Sequence, residues 1–140
     1  MPDKTFQWIG EPTGLYGEWL WRDGGKMIVV TEGEIDCLSV SMAQGNKWAC
    51  VSVRNGAQGA KRDIQKSLEW LEKFETVVLM FDMDDAGQKA AQACASVLST
   101  GKAKIARLPL KDANEMVQQG RISELISSIW EAKTYRPDGI

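Results

Sequence analysis

The chain has 140 residues, 44% hydrophobic and 26% charged, with a formal net charge of −2 and no histidine. That length and balance suit one soluble globular domain with a core of its own. The lack of histidine removes imidazole acid–base catalysis, Ser-His-Asp and Cys-His nucleophile systems, and the usual catalytic zinc sites.

Residues 1–25 hold Trp8, Tyr16, Trp19 and Trp21 and glycines at 10, 14, 17, 24 and 25, without long periodicity. Two readings of this section stand open. One is a short helix around Leu15–Leu20 packing aromatics onto the domain; the other is the stub of a neighbouring domain whose removal leaves an apolar patch exposed. From Lys26 the pattern becomes regular. Lys26–Thr31 reads as a buried strand, and Ile35, Leu38 and Met42 then fall at helical spacing until Gly45-Asn46 ends the helix. Trp48–Val53 is a second strand, followed by the loop Arg54–Gly59 and a helix with Ile64, Leu68, Leu71 and Phe74 on one stripe. Thr76–Phe81 is the clearest strand. Ala90, Ala93, Cys94 and Val97 form a small-residue helix face suited to close packing on a sheet. Ala103–Leu108 is the fourth strand, a short helix lies near Asn114–Gln119, and Ile122, Leu125, Ile126 and Ile129 mark the last helix. Residues 133–140 read as the start of a linker. Such alternation implies an α/β fold: a central four-stranded parallel sheet, doubly wound, with helices on its faces and right-handed crossovers.

Cys37, Cys50 and Cys94 are widely spaced in apolar segments without a C-x-x-C pair, and read as reduced, core-filling thiols of a cytosolic protein. No signal peptide is legible, and no apolar run approaches the ~20 residues that span a bilayer.

The acidic residues carry the chemistry. They lie in Thr31-Glu-Gly-Glu-Ile-Asp36, Met80-Phe-Asp-Met-Asp-Asp-Ala-Gly87 and Leu108-Pro-Leu-Lys-Asp-Ala-Asn-Glu115, each cluster between a strand and a helix. Parallel strands open their carboxyl ends on one edge, where ligands bind. Carboxylates converging there repel one another unless a hard cation neutralises them, and Mg²⁺ suits oxygen ligands shared with substrate phosphates. Glu32 directly follows the first strand, and the glycine after it allows a sharp turn and close approach. In Asp82-Met83-Asp84, alternate residues of an extended segment point the same way. Asp85 reads as the N-cap of the next helix, and Gly87 permits close approach. Asp112 suits either an N-cap with Glu115 completing a capping box or a further acid at the site, and the two roles are compatible. Glu34 and Asp36 fit the first turn of a helix, where carboxylates favour the dipole. Arg54, Lys61 and Arg62, with Gly56 and Gly59 at a loop–helix junction, offer either a phosphate cradle or a solvated basic face. The net charge gives no bulk pull on nucleic acid, although metal-bound carboxylates inflate the acidic count.

Taken together, a glutamate after strand one, D-x-D after strand three and an aspartate after strand four resemble the TOPRIM domain. That module is shared by DnaG-type primases, type IA and type II topoisomerases, OLD-family nucleases and RecR-like proteins. The resemblance covers roughly residues 26–132, with Glu32 and Gly33 matching the glutamate motif and Asp82, Asp84 and Gly87 the aspartate motif. More finely, the three acidic segments look like those of the bifunctional primase-helicases of short-tailed phages, a group related to the mitochondrial replicative helicase. Leu15–Trp21 resembles the segment just upstream of TOPRIM in those proteins, and Arg136-Pro-Asp-Gly139 the start of their linker to the helicase ring.

The resemblance implies the metal-binding part of a DNA primase that makes short RNA primers on single-stranded DNA from nucleoside triphosphates. Glu32, Asp82 and Asp84 would be catalytic and, with Asp112, hold Mg²⁺, with Mn²⁺ as a substitute; Arg54, Lys61 and Arg62 would meet phosphates. Its partners would be an upstream basic RNA polymerase subdomain, a zinc-binding domain and a helicase domain, none of them in these 140 residues. The chain would then be an excised fragment that primes poorly alone, from a protein of the cytoplasm (the host's, if phage-encoded), with no membrane partner. A TOPRIM nuclease that cleaves phosphodiesters with water is the alternative among enzymes. A non-catalytic interaction module, such as a receiver-like phosphoacceptor, is the alternative from another class, but receivers carry their acidic pair after the first strand.

Overall fold

Runs of aliphatic residues buried on both sides belong in the middle of a parallel sheet. Ile28, Val29 and Val30 are fully buried, as are Val77 and Leu79 with Val78 between them. In the computed structural model, which describes residues 14–21 and 24–136, these runs are the two central strands, β1 (Gly25–Thr31) and β3 (Phe74–Met80). With β2 (Ala49–Ser52), β4 (Ala103–Ile105) and β5 (Lys133–Thr134) they form one sheet in the order β2-β1-β3-β4-β5. The first four strands run parallel and β5 is antiparallel to β4.

Side chains alternate across this sheet as the strand period requires. Ile28, Val30, Val51, Val77 and Leu79 face one core, shared with α2 (Gly56–Lys66), α3 (Leu68–Leu71) and α4 (Asp85–Val97). Met27, Val29, Cys50, Val78 and Met80 face the other, shared with α1 (Glu34–Ala43), α5 (Ala113–Gln118) and α6 (Ile122–Trp130). The small-residue face of α4 does what its composition suggests: Ala90, Ala91, Cys94 and Ala95 are buried. The three cysteines are free and buried. From β1 the chain moves outward to β2, then returns to the other side of β1 for β3. The reversal creates a switch point between the carboxyl ends of β1 and β3, the place where open α/β sheets bind ligands.

Residues 14–21 lie along the outer edge of β2. Tyr16 and Ser52 exchange backbone hydrogen bonds of 2.9 and 3.1 Å, closing an edge that would otherwise be open to pairing. Leu15 is buried, and the Trp21 indole donates to the Cys50 carbonyl at 3.0 Å. Glu18–Leu20 is one turn of 3₁₀ helix, with Trp19 and Leu20 left exposed. Trp8, Gly10 and residues 137–139 of the linker resemblance lie outside the described residues.

The structure departs from the sequence reading at several points. The helix expected to carry Ile64 through Phe74 on one stripe breaks at Ser67, whose buried hydroxyl donates to Glu18 Oε1 at 2.9 Å, and Phe74 begins β3. On α1 the stripe Ile35, Leu38 and Met42 faces solvent; Asp36, Cys37, Ser39 and Val40 face inward. β4 is shorter than Ala103–Leu108, and β5 adds a fifth strand to the four that the pattern predicts. Among the described residues no helix is long and apolar enough to cross a membrane.

These burial patterns set opposite outcomes for two leucines. Leu79→Ala, in the centre of β3, should lower the unfolding free energy in urea by about 2–5 kcal/mol. Leu38→Ser, on the outer face of α1, should change it by no more than about 0.5 kcal/mol.

Candidate metal centre

Register brings the first two acids together. Thr31 pairs with Met80 at the ends of β1 and β3, and Glu32 and Asp82 lie just beyond. The Asp82 amide donates to Glu32 Oε1 at 3.1 Å. Gly87, on the first turn of α4, completes the close approach: a Cβ there would sit 2.3 Å from the Asp82 carbonyl oxygen and 2.9 Å from Glu32 Oε1. Gly33 works differently from the sharp turn expected of it. Its backbone is extended (φ −126°), which any residue adopts. Its role is to leave room for Asp36, since a Cβ on Gly33 would sit 3.3 Å from Asp36 Oδ2.

The remaining carboxylates are set by helix starts. Asp84, not Asp85, is the N-cap of α4; its Oδ1 accepts from the Gly87 amide at 2.7 Å, while Asp85 is already helical. Asp112 caps α5 by accepting from the Glu115 amide at 2.9 Å. Glu115 Oε1 in turn accepts from the Lys111 amide at 3.0 Å, one residue earlier than in a standard capping box. The Met83 amide donates to the Lys111 carbonyl at 2.8 Å, tying the Asp82–Asp84 segment to the loop before α5.

Asp36 is the residue that sequence reasoning leaves at a helix start. It is buried, and its Oδ1 accepts from the Asn114 amide at 2.9 Å, joining the starts of α1 and α5. Asp36, Asp82 and Asp112 each offer a carboxylate oxygen within 4.8 Å of the other two, a grouping that fits a cation. The sequence signal for Asp36 is its place one helical turn after Glu32.

Electrostatics agree with that crowding. The Asp82 carboxyl is pushed up to about 7, first by burial and then by the charges of Glu32, Asp36, Asp112 and Asp84. Asp36 is raised to about 6 by burial, opposed by its bond from Asn114, with Asp112 and Glu32 raising it further. Glu32 is raised too, chiefly by burial. Five acids therefore share one edge, with Glu32, Asp36 and Asp82 raised there, and the donors are hard oxygens. A hard divalent cation is the kind of ion that fits such a set.

Of the basic residues singled out from sequence, Arg54 uses its Nε to donate to the Gly14 carbonyl at 2.6 Å. Its loop is held by buried Asp63, which accepts from the amides of Arg54 and Asn55 at 2.9 and 3.0 Å. Lys61 and Arg62 are exposed on α2, and the charge of Lys61 is felt at Cys94 on α4.

Comparison with known proteins gives a consistent picture. The Toprim-like family model matches residues 29–117. The DNA helicase/primase of Enterobacteria phage T3 is 44% identical over 140 residues, covering 99% of this chain and 25% of that protein. Among solved structures, the primase fragment of the bacteriophage T7 primase-helicase protein superposes with a TM-score of 0.81 at 46% identity, over 86% of this chain and 50% of that one. A chain from the structure of the T7 lagging-strand DNA polymerase interacting with primase domains of two gp4 subunits, bound to an RNA/DNA hybrid and dTTP, gives 0.83 at 45% identity, over 89% and 63%. The Aquifex aeolicus primase shares the fold at a TM-score of 0.58 and 20% identity, over 78% of this chain and 26% of that one. The chain thus spans a quarter of the phage T3 protein's length.

The raised carboxyls fix the sign of a pH dependence. Unfolded aspartates titrate near 3.8, whereas Asp36 and Asp82 titrate near 6 and 7 in the fold. Between these values the folded chain binds more protons than the unfolded one, so its stability falls as pH rises. In EDTA, calorimetry should show this contribution as a higher unfolding midpoint at pH 5 than at pH 8, and Asp82→Asn should flatten the slope. At pH 8 without metal, Asp82→Asn should stabilise by about 0.5–2 kcal/mol. Saturating Mn²⁺ should raise the native midpoint more at pH 8 than at pH 5.

Proposed function

Because the chain belongs to the Toprim-like family, we propose that its acidic edge is the metal-binding half of a DNA primase active site. Glu32, Asp36, Asp82, Asp84 and Asp112 would hold Mg²⁺, with Mn²⁺ as a substitute. The observation that carries the reading is the meeting of Asp36, Asp82 and Asp112 within 4.8 Å, at the sheet edge where Glu32 and Asp84 also lie. The identity to a phage helicase/primase along nearly the whole chain supports assigning that edge to priming. Residues 26–132 would be the TOPRIM unit, with residues 1–25 the end of the upstream RNA polymerase subdomain. Residues 133–140 would begin the linker to the helicase, its first two residues still paired with β4 as β5. The parent protein would add the basic subdomain and the zinc-binding domain, and work in the host cytoplasm on single-stranded DNA, nucleoside triphosphates and the growing RNA primer.

A cation held by these carboxylates would supply positive charge to nucleotide phosphates, to the 3′-hydroxyl and to the leaving pyrophosphate. The residues of this chain do the rest. Asp82, raised to about 7 without a cation, gives up its proton as the site fills. Asp84 and Asp112 keep one oxygen each on a helix amide and leave the other for a ligand, so their orientation is set before any ligand arrives. Asp36 is held by the Asn114 amide, and Gly87 keeps the space between Glu32 and Asp82 open. Lys61 and Arg62 remain available to phosphates from the exposed side of α2.

In the full-length parent, Asp82→Asn should reduce template-directed primer synthesis by on the order of 10²-fold or more. The 140-residue chain alone should prime poorly or not at all. Robust oligoribonucleotide synthesis by the isolated chain contradicts its role as half a site. Metal-dependent nicking of plasmid by the chain, lost in Asp82→Asn, would move the assignment to a nuclease.

A further inference from the structure

Lys111 sits at the acidic edge, in a position that the capping and metal roles above leave unused. Its backbone is clamped from both sides: the carbonyl accepts from Met83, between Asp82 and Asp84, and the amide donates to Glu115 on α5. The residue next to it is Asp112, which caps α5. The Cα of Lys111 is thereby fixed relative to both acidic loops, while its side chain is exposed. Among the described residues its ammonium has no hydrogen-bond or ion-pair partner. Its charge nonetheless reaches the site, opposing the upward shift of both Glu32 and Asp36. Of the cations picked out by pattern, Arg54 holds the Gly14 carbonyl, and Lys61 and Arg62 lie exposed on α2.

A lysine fixed at its backbone, close enough to act on two carboxylates yet paired with neither, is poorly explained as a structural ion pair. Its ammonium is a point charge on a flexible stem with three donors. Once a divalent cation has neutralised the acids, the partner left for it is an anion brought to the same edge. We propose that Lys111 binds the polyphosphate of the incoming nucleotide beside the metal. This rests on the metal reading given above and adds the group that receives the substrate's charge.

The two roles open to Lys111 separate in binding measurements on this chain. Calorimetric titration with Mn²⁺ alone, and then with inorganic triphosphate at saturating Mn²⁺, compares the native chain, Lys111→Met and Lys111→Arg, with circular dichroism to confirm folding. Loss of a cation beside the acids should raise Mn²⁺ affinity in Lys111→Met by about two- to tenfold. The same substitution should weaken triphosphate binding by roughly tenfold or more, the scale of one charge-assisted hydrogen bond. Lys111→Arg should keep most of the native triphosphate affinity. If native chain and Lys111→Met hold Mn²⁺ but bind triphosphate equally, Lys111 only screens the acids and the proposal is overturned while the metal site stands. If the native chain takes up no Mn²⁺, the metal reading falls and this inference with it.

Discussion

The parallel pairing of β1 with β3 is the constraint on which the rest of the molecule depends. Their register ends at Thr31 opposite Met80, so the chain leaves the sheet with Glu32 and Asp82 side by side. The strands cannot slip to separate these acids: their side chains alternate between two cores, and a one-residue slip would turn every aliphatic residue to the wrong face. Hydrophobic burial thus enforces a contact that electrostatics opposes. The raised carboxyls of Glu32, Asp36 and Asp82 register that opposition. Stability given up at an edge of like charges would be recovered by a cation bound there, which would link metal affinity to the packing of the sheet.

Helix capping solves a second problem at this edge. Flexible carboxylates would have to be ordered each time a ligand bound, at a cost in entropy. Asp84 and Asp112 are ordered already, because each satisfies an amide at the start of its own helix. Such a cap is worth about 1 kcal/mol to the fold, so the residues that orient the site also hold α4 and α5 in place. Asp36 extends the principle across chain segments by accepting from Asn114. Lys111, clamped between Met83 and Glu115, belongs to the same frame.

Much of this is legible in the residues. Aliphatic runs mark β1 and β3, and the order of acids between strands and helices points to one edge of a parallel sheet. Asp36 is harder to read, because local rules assign a first-turn aspartate to the helix dipole; its partner Asn114 lies 78 residues away. The D-x-D segment suggests Asp85 as the cap, since local propensity does not distinguish adjacent aspartates that both suit a helix start. Helical spacing finds a stripe on α1, but periodicity cannot say which side faces the sheet; the packing of Cys37 and Val40 decides that, and leaves Ile35, Leu38 and Met42 outward. β5 leaves no pattern because so short a strand carries none; its identity comes from its bonding to β4.

Paramagnetic broadening by substoichiometric Mn²⁺ in amide NMR spectra of the 140-residue chain shows directly whether the carboxylates of the acidic edge gather one cation. The signals of Glu32, Gly33, Asp36, Asp82, Asp84 and Asp112 should be lost before any others, and should be retained in Asp82→Asn at the same Mn²⁺ concentration. Broadening scattered over exposed acids such as Glu69, Glu75 and Glu131, unchanged by Asp82→Asn, would contradict a shared cation site.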